Sequence, residues 1–209
     1  CLSDNEVDIV NMEGTAFGQF LMLYNSSDQN KRLLQKVAVI TDEDQYTASN
    51  DTKYNKVQKL VDNDYQLMNE LRDEIKKAFP IGRVANLHSL ANGQANILIS
   101  SGYKTLEFQI CLANVPQVKA DITAYSLYKF IQGVNATDIT LVDNYIATID
   151  NEKLTPDEQM NIALLLWKSL PGKTVFAQGL MMYLEKEHTA GTCKFEVPAY
   201  IRTAINHLV

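Results

Sequence analysis

Cysteine, proline and glycine are all sparse in this 209-residue chain, at three, five and nine positions, and there is a single tryptophan. Cys1, Cys111 and Cys193 lie far apart, with no CxxC pair and no histidine set beside them. That leaves no basis for a disulfide scaffold or a cysteine-based zinc site, and points to reducing, cytoplasmic surroundings. Long apolar runs are missing too. Stretches such as Ile162 to Trp167 fall far short of the ~20 residues that cross a bilayer, so no membrane partner is expected. Cys1 to Glu6 has neither the basic start nor the apolar stretch of a secretory leader, and an opening cysteine in place of methionine reads as a piece of a longer polypeptide. Positive charge is in deficit. Nineteen lysines and arginines against 25 aspartates and glutamates give a formal charge of −6, the opposite of a protein that holds nucleic acid by phosphate neutralisation alone.

What is present is ample apolar material, 46% of residues, enough for one core with a smaller appended subdomain. Val7 to Met12 is rich in β-branched residues and stops at Gly14, a strand leading into a turn. Thr15 can cap a helix whose buried face is Phe17, Phe20, Leu21 and Tyr24, running to about Tyr24. After a polar connection, Val37 to Ile40 is the short, wholly apolar run of a central parallel strand, so the three segments read as a βαβ unit. The spacing of Val57, Leu60, Val61, Met68, Leu71, Ile75 and Ala78 predicts one long amphipathic helix from about Lys56 to Pro80, within an insertion spanning about 45–95. Asn92-Gly93 marks a turn, Asn96 to Ser100 a strand, and Leu106 to Ala113 a helix ending before Pro116.

From about Ala120 the pattern is helical only. Thr155-Pro156-Asp157-Glu158 combines an N-cap, a proline at the first helical position and a capping-box glutamate, predicting a helix from Pro156 to Leu170. Further helical faces are Phe176, Leu180 and Leu184, then Ile201, Ala204, Ile205 and Leu208. The expected fold is α/β, a parallel sheet flanked by helices in residues 1–118, followed by an all-helical C-terminal subdomain in 119–209.

The sharpest chemical signal is Asp42-Glu43-Asp44, where the apolar strand runs out. Ligands bind at the carboxyl ends of parallel strands, where the connecting loops diverge. Three carboxylates on one tight loop repel one another unless a hard cation neutralises them, and such oxygen donors suit Mg²⁺ or Mn²⁺. An acidic solvated loop is the plainer alternative. Glu107, in Thr105-Leu106-Glu107, adds a carboxylate at the junction of the next strand and its helix, where it also complements the helix dipole. Lys173, in Pro171-Gly172-Lys173-Thr174, is not part of a phosphate-binding loop, because GxxxxGK requires glycine where Trp167 stands. It can stabilise charge on a scissile phosphate, or be an exposed turn lysine. Lys31, Arg32 and Lys36 form a small basic cluster that could hold a nucleic-acid backbone, and is otherwise solvated surface. His88, His188 and His207 are scattered, with no metal or nucleophile spacing.

Taken in order, Ile9-Val10-Asn11-Met12-Glu13-Gly14-Thr15-Ala16-Phe17, Val37-Ala38-Val39-Ile40-Thr41-Asp42-Glu43-Asp44, Thr105-Leu106-Glu107, and Lys173 with Phe176-Ala177 resemble the TOPRIM region of OLD-family (overcoming lysogenization defect) nucleases. The resemblance implies a TOPRIM-like sheet and divalent-metal cleavage of DNA in phage defence or repair. It implies Asp42, Asp44 and Glu107 as metal ligands, Lys173 as the charge-stabilising residue, and Asp42 and Asp44 in catalysis. It further implies an ATPase domain N-terminal in the same polypeptide, through which alone ATP would enter, a homodimeric parent, and a Glu-Gly strand before Cys1. No Walker motif is present in the 209 residues. Lacking that Glu-Gly strand, this chain is expected to bind metal weakly and to cut DNA poorly or not at all. Two other readings remain open at this point: a dimerisation or docking module, and another phosphoryl-transfer enzyme using a DxD loop.

Overall fold

The computed structural model describes residues 7–10, 17–43, 57–62, 64–76, 82–102 and 104–209. In chain order the helices and strands are α1 (Phe17–Leu21), β1 (Val37–Asp42), α2 (Tyr65–Lys76), α3 (Gly82–Ala91), β2 (Ile97–Gly102), α4 (Leu106–Ala113), α5 (Ser126–Val134), α6 (Ala136–Ala147), α7 (Pro156–Lys168), α8 (Lys173–Thr189) and α9 (Ala199–Leu208), with 3₁₀ turns at Gln29–Lys31 and Lys119–Ala124. The described residues are thus α/β and mostly helical, with a two-stranded parallel sheet. No helix among them is long and apolar enough to cross a membrane.

The chain divides into two compact units that interleave in sequence. One comprises residues 1–45, 79–105 and 199–209, the other 46–78 and 106–198. This division differs from one at 118/119, because the last helix, α9, returns to the sheet.

In the sheet unit β1 and β2 pair in register from Val37 opposite Ile97 to Asp42 opposite Gly102. Alternate residues of a strand point to opposite faces. Val39, Ile97 and Ile99 on one face join Leu21 of α1 and Val84, Leu87 and Ala91 of α3 in a core cluster. The other face carries α9, where Ser100 Oγ donates to the Tyr200 carbonyl at 2.7 Å. Both helices run opposite to the strands. Arg83, at the start of α3, donates to the Asp42 carbonyl, and at the far end of α9 the His207 ring lies 3.3 Å from the Asn96 carbonyl. The amino ends of α3 and α9 therefore flank the carboxyl edge of the sheet from its two faces.

Three expectations need correction in this unit. Of the strand read at Val7 to Met12, the described residues 7–10 belong to no strand, and Ile9 is 82% exposed. β-branched composition favours a pleated surface but supplies no partner strand. The first helix ends at Leu21, not Tyr24, because Leu23 N–H and Tyr24 N–H turn back to the carbonyls of Phe20 and Leu21, three residues earlier. Phe20 is exposed. The third is α3, a helix of its own within the helical insertion read at about 45–95, in the stretch after Pro80 where no helix was delimited. Its end is marked as expected, with Asn92 and Gly93 both left-handed at φ 52° and 65°.

The helical unit is built on α7. Its residues from Asn161 to Trp167 are buried all round, the pattern of a helix enclosed by others rather than lying on a surface. Packed on it are α2, α4 and α6. The capping box is formed as the sequence predicts: Glu158 N–H donates to Thr155 Oγ1 at 3.3 Å, and Glu158 Oε2 accepts from Thr155 N–H at 2.6 Å. The long helix read from Lys56 to Pro80 is interrupted instead. Asp64 accepts from Leu67 N–H at 3.1 Å, the geometry of an N-cap, so α2 starts at Tyr65, while residues 59–62 are not helical.

Candidate functional site

At the carboxyl edge of the sheet, Asp42 ends β1 and Gly102 ends β2, the position where a ligand site is expected in a parallel sheet. Asp42 and Ser100 share the α9 face, and Tyr200 of α9 donates its hydroxyl to Asp42 Oδ1 at 3.4 Å. Glu43 follows on the opposite side. Its backbone N–H donates to the Gly102 carbonyl at 2.7 Å, and its Oε1 accepts from Ser101 Oγ at 2.7 Å. Asp44, the third carboxylate of the triplet, lies outside the described residues, as do Glu13 and Gly14.

Two basic residues that sequence reasoning passed over stand at this edge. Arg83 donates to the Asp42 carbonyl, and its Nε, buried, finds no hydrogen-bond partner among the described residues. Lys104 follows the end of β2 by two residues and is 1% exposed, an environment in which a lysine is almost never found without compensation. Asp42 is therefore not set among bare negative charge: the Arg83 guanidinium and the amino ends of two helices stand beside it, and each favours anions nearby. The spacing of Val84, Leu87 and Ala91 was the signal that would have placed α3, and with it Arg83.

Glu107 and Lys173 belong to the helical unit, and there they meet. Lys173 Nζ, on a side chain 81% exposed, lies 3.4 Å from Glu107 Oε1, whose side chain is 18% exposed. Glu107 sits in the first turn of α4, where its charge suits the helix dipole. It also faces Cys111: burial first, and then the Glu107 charge, pushes that thiol well above its ordinary pKa. Cys111 is thus an inert core residue rather than a nucleophile.

Lys31, Arg32 and Lys36 do not form one patch with one role. Lys31 is exposed and pairs with Asp28 at 3.3 Å, and Lys36 is exposed. Arg32 is half-buried and spends its guanidinium on the Ser26 carbonyl at 3.2 Å and on Gln94 Oε1, so its part in the fold is to tie the loop after α1 to the turn before β2. Among the histidines, His88 and His188 are exposed and His207 is the residue beside Asn96.

No family model matches the chain, and neither the curated proteins nor the solved structures yield a match to it.

Carboxylate oxygens at the end of a strand are hard donors, suited to Mg²⁺ or Mn²⁺. Among the described residues no three histidine, cysteine, aspartate or glutamate side chains form a metal-binding group. Asp42 and Glu43 are described residues that bring carboxylate oxygens to this edge, with Asp44 next in sequence.

Proposed function

We propose that the chain is the TOPRIM-like part of a metal-dependent DNA endonuclease of the OLD kind, with its site at the carboxyl edge of β1 and β2. The observation that carries the reading is the position of Asp42, the last residue of a parallel strand, in register with the last residue of its neighbour. In this reading Asp42 and Asp44 would hold Mg²⁺ or Mn²⁺, which when bound activates water and neutralises charge on the reacting phosphate; Glu107, which the resemblance implies as a further ligand, belongs to the helical unit. Arg83 and Lys104 add support: a phosphodiester is an anion, and the same edge that carries the carboxylates carries fixed positive charge. Lys173, ion-paired with Glu107, orients that carboxylate and stabilises developing negative charge. Lys31 and Lys36, both exposed, would contact the DNA backbone, with Arg32 between them tied to Ser26 and Gln94. ATP enters only through an ATPase domain in the same polypeptide, and a homodimeric, cytoplasmic parent serving phage defence or repair completes the proposal.

Nicking of supercoiled plasmid with Mn²⁺, by a polypeptide that joins this chain to such an ATPase domain, tests it. Asp42→Ala is expected to abolish nicking and leave ATP hydrolysis intact. Undiminished nicking by that variant would remove Asp42 from the chemistry.

A further inference from the structure

We propose that the surface formed by the end of α4, the Lys119–Ala124 turn and the start of α5 is a recognition site for an extended peptide, filled here by residues 193–197 of the same chain and open to the same segment of a second copy. That stretch joins α8 to α9 and belongs to no helix or strand. Its backbone is gripped at alternate residues. Lys194 N–H donates to Ser126 Oγ, and Ser126 N–H donates to the Lys194 carbonyl, both at 2.8 Å. Asn114 repeats the pattern on Glu196: its Oδ1 accepts from the Glu196 N–H and its Nδ2 donates to the Glu196 carbonyl, both at 2.9 Å. Reciprocal main-chain bonding at every second residue is how a sheet edge takes up an added strand. Here two helix ends provide it instead.

Both gripping residues, Asn114 and Ser126, are buried and held from behind. Asn114 Nδ2 also donates to the Ile110 carbonyl at 2.9 Å, and Ser126 Oγ donates to the buried Glu187 carboxylate. A side-chain subsite adds selectivity. Lys194 Nζ lies 4.8 Å from the centre of the Tyr125 ring and 3.7 Å from Asp121 Oδ1, so this position favours a cation. Cys193, Glu196 and Val197 are exposed, so the segment rests on the helical unit as a ligand rests in a groove. What commits it to its own copy is the turn after α8, where Gly191 is left-handed at φ 69°. Once that turn opens, an identical chain offers the same bonds in trans, which makes a second copy the matched partner.

Fluorescence anisotropy with a labelled peptide of residues 191–198, carrying serine in place of Cys193, tests the site on the full 209-residue chain. In the wild type the tethered segment competes at high effective concentration, so the peptide should bind poorly. Lys194→Pro strips the chain's own segment of one N–H and of the ammonium, and should tighten peptide binding by at least about tenfold. Glu196→Pro removes the other N–H and serves if Lys194→Pro does not fold. Adding Asn114→Ala should cancel the gain. Folded proline variants that bind the peptide no better than the wild type overturn the proposal. Light scattering reads the second copy. Proline cannot take the left-handed turn, so Gly191→Pro should shift the chain from monomer towards dimer, and Asn114→Ala should reverse the shift. A Gly191→Pro chain that stays monomeric, or a dimer indifferent to Asn114→Ala, rules out the second copy as occupant, whatever the peptide does.

Discussion

Tyr128 is 4% exposed on α5 and donates its hydroxyl to Asp143 Oδ1 of α6 at 2.5 Å. Burial, reinforced by the hydrogen bond to the Asp143 carboxylate and by its charge, raises the phenol's pKa well above the ordinary 10.0. The folded state therefore keeps its proton where the unfolded chain has released it. A raised folded pKa means that the contribution to stability is complete below the unfolded value, near 10, and is lost as pH rises beyond it. Urea-unfolding midpoints should fall between about pH 9 and about pH 11, and Tyr128→Phe should flatten that fall. An identical slope in the variant would place the titration elsewhere, with Tyr145 and Tyr183, also raised by burial, the next residues to replace. At the candidate site, Asp42 was legible because an apolar run ending in carboxylates is a local pattern. Arg83 and Tyr200 were not. They reach Asp42 across 41 and 158 positions of sequence, and nothing in their own neighbourhoods announces the destination.

Elements whose boundaries are set by local chemistry were readable, and α7 is the clearest case. Its first turn closes on the Thr155–Glu158 box, with proline at the first position. Thr155→Ala removes one of the two reciprocal bonds and should lower stability by about 1 kcal/mol, read as a reduced urea midpoint at unchanged slope. The same logic made α4, α8 and α9 predictable from apolar spacing and flanking proline or glycine. It failed where a boundary depends on one side chain choosing its partner. Asp64 caps α2 and breaks what reads as one long amphipathic run, and the apolar spacing alone does not register that choice. Its other failure was the segment at 7–10, where strand-like composition met no strand to pair with.

At the scale of the whole molecule, the sheet unit is assembled from three stretches of sequence and the helical unit from two. A linear reading divides a chain into consecutive blocks, so the return of α9 to β1 and β2 could not be seen in advance. Shortening the chain to end at Pro198 should leave the helical unit protected against amide hydrogen exchange. The amides of β1 and β2 should lose protection by roughly an order of magnitude or more, since one face of the sheet is stripped. Equal protection across both units would show that α9 is dispensable to the sheet. Biosynthesis meets the same arrangement in time. Ala199 is translated roughly a hundred residues after β2, several seconds at about 5–20 residues per second. While the ribosome makes the helical unit, the nascent β1 and β2 wait half-clothed. The strand that ends in Asp42 can reach its finished setting only once α9 has emerged, so this edge of the sheet matures after the helical unit that is translated ahead of that helix.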